Sequence, residues 1–351
     1  MAHARAWTPP RLIFAAPSRR TNRLRASRRA PIVTRSSAPD ATRDTAPSEE
    51  RLPKREWADM TTADFEAMDA ASCIAILPVG AVEQHGPHLP VCVDAAINAG
   101  VLSRAMDLLP DEVRVLRMPP VPYGKSVEHD DFAGTVSLSA ATLQAVWTDI
   151  GESVNRAGVK KLILFNSHGG QPQIMDVVAR DLRKRLGMLV VTCNWFSFGL
   201  PDGLFEENEI KHGIHGGDVE TSVMLHLHPG LVDMSRAENF VSAGERMERE
   251  FRHLTPEGGV GFGWLAQDLN PSGAIGNATM ATAEKGELCV EHAAERLVAL
   301  IEEVDNFDVD CVFNRGEPGR YCQVSLRKVW RDEDEFVEPE PSRFKSHYTG
   351  S

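Results

Sequence analysis

The sequence predicts an α/β protein, a three-layer sandwich with a mostly parallel central sheet and helices on both faces. Two observations lead there. Short apolar runs of buried-strand length alternate with stretches of helical periodicity, the pattern of right-handed βαβ units. The charged and glycine-rich motifs directly follow apolar runs or open helices, as expected where active sites lie at the carboxyl ends of strands.

The elements follow in order. Residues 73–80 (CIAILPVG) form an apolar run closed by glycine and read as a buried strand. Residues 94–108 have helical periodicity, with Asp94 near the start. Residues 113–119 read as a second strand, and 139–157 as an amphipathic helix opened by Ser139. Residues 161–165 (KLILF) give a third strand, 171–186 a helix and 188–193 (MLVVTC) a fourth strand. Residues 220–228 are expected to be helical, and 282–304 form a long helix.

Composition and charge bound the rest. Residues 1–39 hold nine Arg and no Lys, Asp or Glu. That composition is expected of an organelle transit peptide, a positive and threadable segment drawn to anionic import surfaces. Its near-neutral opening and many Ser, Thr and Pro favour the chloroplast over the mitochondrion; a disordered basic arm is the alternative. Residues 1–54 are therefore assigned to transit peptide and linker, 55–310 to the catalytic domain and 311–351 to a polar, acidic tail. The whole chain carries −12, so without the nine arginines the remainder stands at −21. A body that acidic excludes nucleic acid and anionic membrane surfaces as expected partners. No run of eighteen apolar residues occurs, so no membrane-spanning segment is expected. The six cysteines lack C-x-x-C spacing, which argues for reduced thiols and against a zinc finger.

Three clusters could carry chemistry. Glu83 and His85, two residues apart after the first strand, project to one side of an extended backbone, and Asp94 follows a Gly/Pro-rich loop. One imidazole and two carboxylates suit Zn, Mn or Fe. His168 lies in Asn-Ser-His-Gly-Gly-Gln, where the third strand turns into a helix whose free N–H groups could face an oxyanion. His215, Asp218 and Glu220 lie in the third cluster, near a helix start that favours anions. Each cluster alone also fits a polar loop, a tight turn or acidic capping. Three strand ends delivering His and carboxylates to one sheet edge favour a metal site.

The motifs PVGAVEQHGPHLPVCVD, NSHGG and HGGDVETS, in this order, resemble the signatures of the creatininase superfamily. YGKSVEHDDFAGTVSL and GWLAQDLNPSGAIGNATMATAEKG are also family-like, and the similarity covers about residues 56–305. The resemblance implies a creatininase-like fold holding one or two divalent metal ions. It makes Glu83, His85, Asp94 and His168 ligands, with Asp94 bridging two ions. The family's creatinine-hydrolysing member has an aromatic and then an acid after the second-motif histidine, where this chain has Gly169 and Gly170. Glu220 is then the natural substitute for that ligand, and creatinine itself becomes a poor substrate expectation. The same segment offers His215 as the group that works on the leaving nitrogen.

The expected reaction is metal-assisted hydrolysis of a cyclic or formamide-like C–N amide bond in a small molecule. Glu128 and His129 are candidates to line the substrate pocket or to hold their loop. A homo-oligomer, often hexameric, is also implied. The alternatives are a deformylase or peptidase of the same family, or a non-catalytic metabolite-binding member. The intact five-ligand set argues against the last.

Overall fold

Four apolar segments pair into one parallel sheet. They are β1 (Ile74–Val79), β2 (Val115–Arg117), β3 (Lys161–Asn166) and β4 (Leu189–Asn194), in the order β2-β1-β3-β4. In the computed structural model, which describes Leu52 and residues 54–257 and 260–309, every neighbouring pair in this sheet is parallel. The expected transit peptide and polar tail fall outside the described residues.

The helices are α1 (Thr62–Ala67), α2 (Val93–Leu108), α3 (Ala140–Arg156), α4 (Pro172–Leu186), α5 (Glu207–His212), α6 (Asp218–Leu227), α7 (Ala243–Glu250), α8 (Ala266–Leu269) and α9 (Ala283–Asp305). Local chemistry sets their ends. Ser139 caps α3 by accepting from the Thr142 N–H, as its position in the sequence suggests. Pro172 sits at the first position of α4, and Gly187 ends that helix in the left-handed conformation.

Strand alternation divides the core in two. Ile74, Ile76, Ile163 and Phe165 face a layer built from α2, α6 and α9. Ala75, Leu77, Leu162 and Leu164 face Leu143 and Trp147 of α3 and Met175, Val178 and Leu182 of α4. The result is the expected three-layer sandwich, with the four-stranded sheet wholly parallel. A separate antiparallel pair, β5 (Asn239–Phe240) with β6 (Gly276–Asn277), was not expected from sequence.

The strand order places the site. The chain leaves β1 for β2 on one side, then crosses to β3 on the other, so the order reverses between β1 and β3. Outside the carboxyl ends of two such strands the connecting loops part and leave a crevice. The motifs of Glu83, His85 and His168 emerge at this point.

Candidate metal centre

Asp94 lies in the first turn of α2, and Asn98, one turn later, fixes that helix against the sheet. The Asn98 amide donates to the carbonyls of Val79 (3.0 Å) and Phe165 (2.9 Å), the ends of β1 and β3. Ser167 Oγ donates to the Asp94 carbonyl at 2.7 Å. The carboxylate is thereby held over the point where the strand order reverses.

Two triads share it. His168 Nδ1 lies 3.2 Å from Glu83 Oε2 and 3.4 Å from Asp94 Oδ2. His85 Nε2 lies 3.4 Å from Asp94 Oδ1 and 3.6 Å from Glu220 Oε2. Ligand atoms about 2.0–2.2 Å from one ion stand roughly 3–3.5 Å apart, so both spacings suit a divalent cation. Asp94 turns one oxygen to each triad. A third combination, Glu83, His85 and His215, is also close enough to hold an ion.

The remaining ring nitrogens are committed. His85 Nδ1 donates to the Glu83 carbonyl (3.1 Å), and His168 Nε2 donates to the Lys125 carbonyl (2.8 Å). Each bond leaves the opposite nitrogen with its lone pair toward the triad, the usual arrangement of a metal-binding histidine. Glu83 Oε2, His85 Nε2 and Asp94 Oδ2 are buried and have no hydrogen-bond partner. Orphaned polar atoms are costly unless something else satisfies them, and three converging here fit a cation.

The electrostatics agree. Burial opposes charge on His85 and His168, yet the carboxylates of Glu220 and Asp94 around the first, and of Glu83 and Asp94 around the second, raise both pKa values well above the ordinary. Burial would raise Asp94 and Glu220, but histidine neighbours outweigh it, and both carboxyls sit below their usual range. His129 and His215 go the other way: burial, reinforced by neighbouring histidines, lowers them. Without metal, the surrounding carboxylates favour the protonated form of His85 and His168.

Of the nine residues singled out from sequence, all but Asp218 converge here. His85, His215 and His129 stack, with ring centroids 4.1 and 4.2 Å apart. Glu220 reaches in from the first turn of α6 and accepts from the Gly216 N–H at 2.6 Å. Asp218 is turned away, paired with Lys285 at 2.6 Å, so it serves the fold. Glu128 and His129 line a cavity of about 1020 Å³ that opens over the centre and is walled by Trp195, Phe196, Phe262 and Trp264. The expected N–H groups of α4 are reduced, because Pro172 has none to give.

Glu128 occupies a telling place. A Cβ on Gly170 would lie 1.6 Å from its Oε1, and Lys125 Nζ donates to its Oε2 at 2.8 Å. The carboxylate stands where a side chain at position 170 would begin.

Sequence reasoning missed Gln84, Lys125 and Glu209. Gln84 lies between two recognised residues, but its partners come from distant loops. Glu209 is a buried acid that accepts the N–H of Asp218, at the start of α6, and that of Asn277 (2.7 and 2.8 Å). Its place in a short charged helix carried no such signal.

Residues 58–301 match the family model described as creatininase, creatinine amidohydrolase. The creatinine amidohydrolase of Pseudomonas putida is 32% identical over 262 residues, spanning 70% of this chain and 95% of that one. The mycofactocin precursor peptide peptidase of Mycolicibacterium smegmatis is 32% identical over 218 residues, 61% of this chain and 78% of that one. A solved manganese form of creatininase superposes with a TM-score of 0.59 at 28% identity, covering 71% of this chain and 98% of its own. With the fold, the motif order and the cradle all in place, the chain belongs to the creatininase family of amidohydrolases.

Proposed function

We propose that this protein hydrolyses a non-peptide C–N amide bond, cyclic or formamide-like, in a small molecule. The carrying observation is the convergence of Glu83 Oε2, His85 Nε2 and Asp94 Oδ2, buried and unpartnered, where Glu83 and Asp94 line the cavity. Glu83, Asp94 and His168 would hold one divalent cation, and His85, Asp94 and Glu220 a second, with Zn, Mn and Fe all suited to the donors. A bound cation supplies Lewis acidity toward water and toward an amide carbonyl.

The chain's own residues handle the protons. His215 Nε2 donates to the Gln84 carbonyl at 2.6 Å, so its Nδ1 is bare and faces Glu83 Oε1 at 3.8 Å. Nδ1 takes a proton from the attacking water and passes it to the departing nitrogen.

The test is metal analysis of the purified mature chain, then a screen of formamides, lactams and cyclic ureides. Stoichiometric metal with turnover of one class is expected. Absence of metal after reconstitution, or metal without turnover, overturns the reading.

A second reading, peptide trimming, draws support from the size of the cavity, at the upper end of small-molecule sites, and from the peptidase relative. Short peptides in the same screen separate the two. We also propose a homo-oligomer of up to six chains, supported by exposed Phe196, Ile210 and Leu265 at the cavity rim. Light scattering that gives a monomer's mass would exclude it. Chloroplast import rests on the basic first 39 residues, and a fluorescent fusion of residues 1–60 that stays cytosolic would refute it.

A further inference from the structure

Gln84 makes a set of contacts whose donors and acceptors are fixed. Its Oε1 accepts the Gly86 N–H at 2.8 Å, and its Nε2 donates to the Gly273 carbonyl at 2.9 Å. These two bonds determine which end of the amide is nitrogen. Two ring nitrogens lie within reach of the second N–H, His129 Nδ1 at 2.7 Å and His215 Nε2 at 3.2 Å; His215 Nε2 is itself a donor to the Gln84 carbonyl, so the N–H goes to His129 Nδ1. Gly273, at φ +84°, has no room for a Cβ, which would lie 2.4 Å from Gln84 Oε1.

A nitrogen that accepts a hydrogen bond carries no proton. His129 is then held as the tautomer with hydrogen on Nε2. That nitrogen faces the centre. The carboxylate oxygen in front of it, Glu83 Oε1, is 3.7 Å away, beyond hydrogen-bond reach. His215, stacked at 4.2 Å, fixes the ring plane. The outcome is a neutral, rigid N–H donor on the cavity wall beside a metal-facing glutamate.

We infer that His129, locked by Gln84, is the donor to the substrate's carbonyl oxygen, the oxygen that becomes negative when water adds, and that Gln84 is its positioning residue. This rests on the hydrolytic reading above. It divides the labour within the histidine stack: His215 presents a bare nitrogen to move protons, and His129 presents a hydrogen to hold charge. Donors fixed in advance at a developing oxyanion cost no reorganisation during reaction. The ligand class is an amide carbonyl or a tetrahedral mimic of it.

The experiment uses the zinc-loaded full chain with ¹⁵N-labelled histidine rings. Long-range proton–nitrogen correlation reads the tautomer, and His129→Gln assigns the signal. Expected is hydrogen on Nε2 and none on Nδ1, with the fixed tautomer lost in Gln84→Leu. Hydrogen on Nδ1, or on both nitrogens, overturns the proposal, as does a tautomer unchanged by Gln84→Leu. Acetohydroxamate affinity by calorimetry then tests the donor. His129→Leu should weaken it about tenfold at unchanged zinc content, and His129→Gln, which keeps an N–H, should recover part. Equal affinities for the two variants overturn the donor role. Should the Leu variant fail to fold, the wild-type spectrum decides. The same spectrum of the metal-free chain reads the tautomer even if the hydrolase reading fails.

Discussion

Gly170 has no side chain because a carboxylate from another loop already fills the space. Gly170→Ala would drive a methyl to 1.6 Å from Glu128 Oε1. The variant is expected to lose about 1–3 kcal/mol of stability, as overpacked sites do. Glu128→Gly in the same chain should recover the part due to Glu128 but not the crowding against His168 Nε2, and thermal melts of the four proteins measure that coupling. His168 and His215 should separate by a different readout. His168→Ala removes a ligand and should cost metal. His215→Ala should keep metal nearly intact and lower the rate by roughly 10²–10⁴. Equal metal loss in both would make His215 a ligand, as the third triad allows.

Metal binding should also release protons, because the carboxylates raise His85 and His168 in the metal-free chain. The sign follows from the raised pKa. The stabilising His–carboxylate pairs are fully formed below the ordinary histidine pKa and are lost as pH rises through the elevated values. Affinity for metal should therefore climb with pH, and calorimetry in buffers of different ionisation enthalpy should report proton release. No buffer dependence would show that the two rings are already neutral.

At the scale of elements, two helices deliver carboxylates and each is registered by a contact that sequence periodicity does not encode. For α2 the contact is Asn98 on the ends of β1 and β3. Asn98→Ala would remove the side-chain donor to Phe165 and one of the donors to Val79, which keeps the Ser167 N–H at 3.1 Å, and should cost about 1–3 kcal/mol by denaturant unfolding. For α6 the contact is with α9, where a Cβ on Gly286 would lie 2.0 Å from the Ser222 carbonyl. The four strands and five longest helices were legible because their apolar spacing spans whole turns or a full buried strand. The missed helices α1, α5, α7 and α8 run four to eight residues, too short for a periodic signal. The β5–β6 ladder pairs two residues with two others far along the chain, which no local pattern announces.

At the scale of the molecule, the candidate donors were legible because they sit in dense motifs, Glu83, His85 and His168 past strand ends and Asp94 and Glu220 in the first turns of α2 and α6. What was not legible is how the loops interlock: Gln84 with Gly273, and Glu128 with the gap at Gly170. These meetings depend on which loops the sheet order brings together. The shared carboxylate has a mechanical consequence. Asp94 faces His85 and His168, and the cradle extends through His168 to Glu83 and through His85 to Glu220. An ion seated there acts as a removable rivet through segments remote in the chain, restricting loops that would otherwise open independently. Chelation should then loosen the 83–92 and 213–217 stretches together, seen as matched rises in amide exchange and protease cutting, while β1 and β3 stay protected beneath.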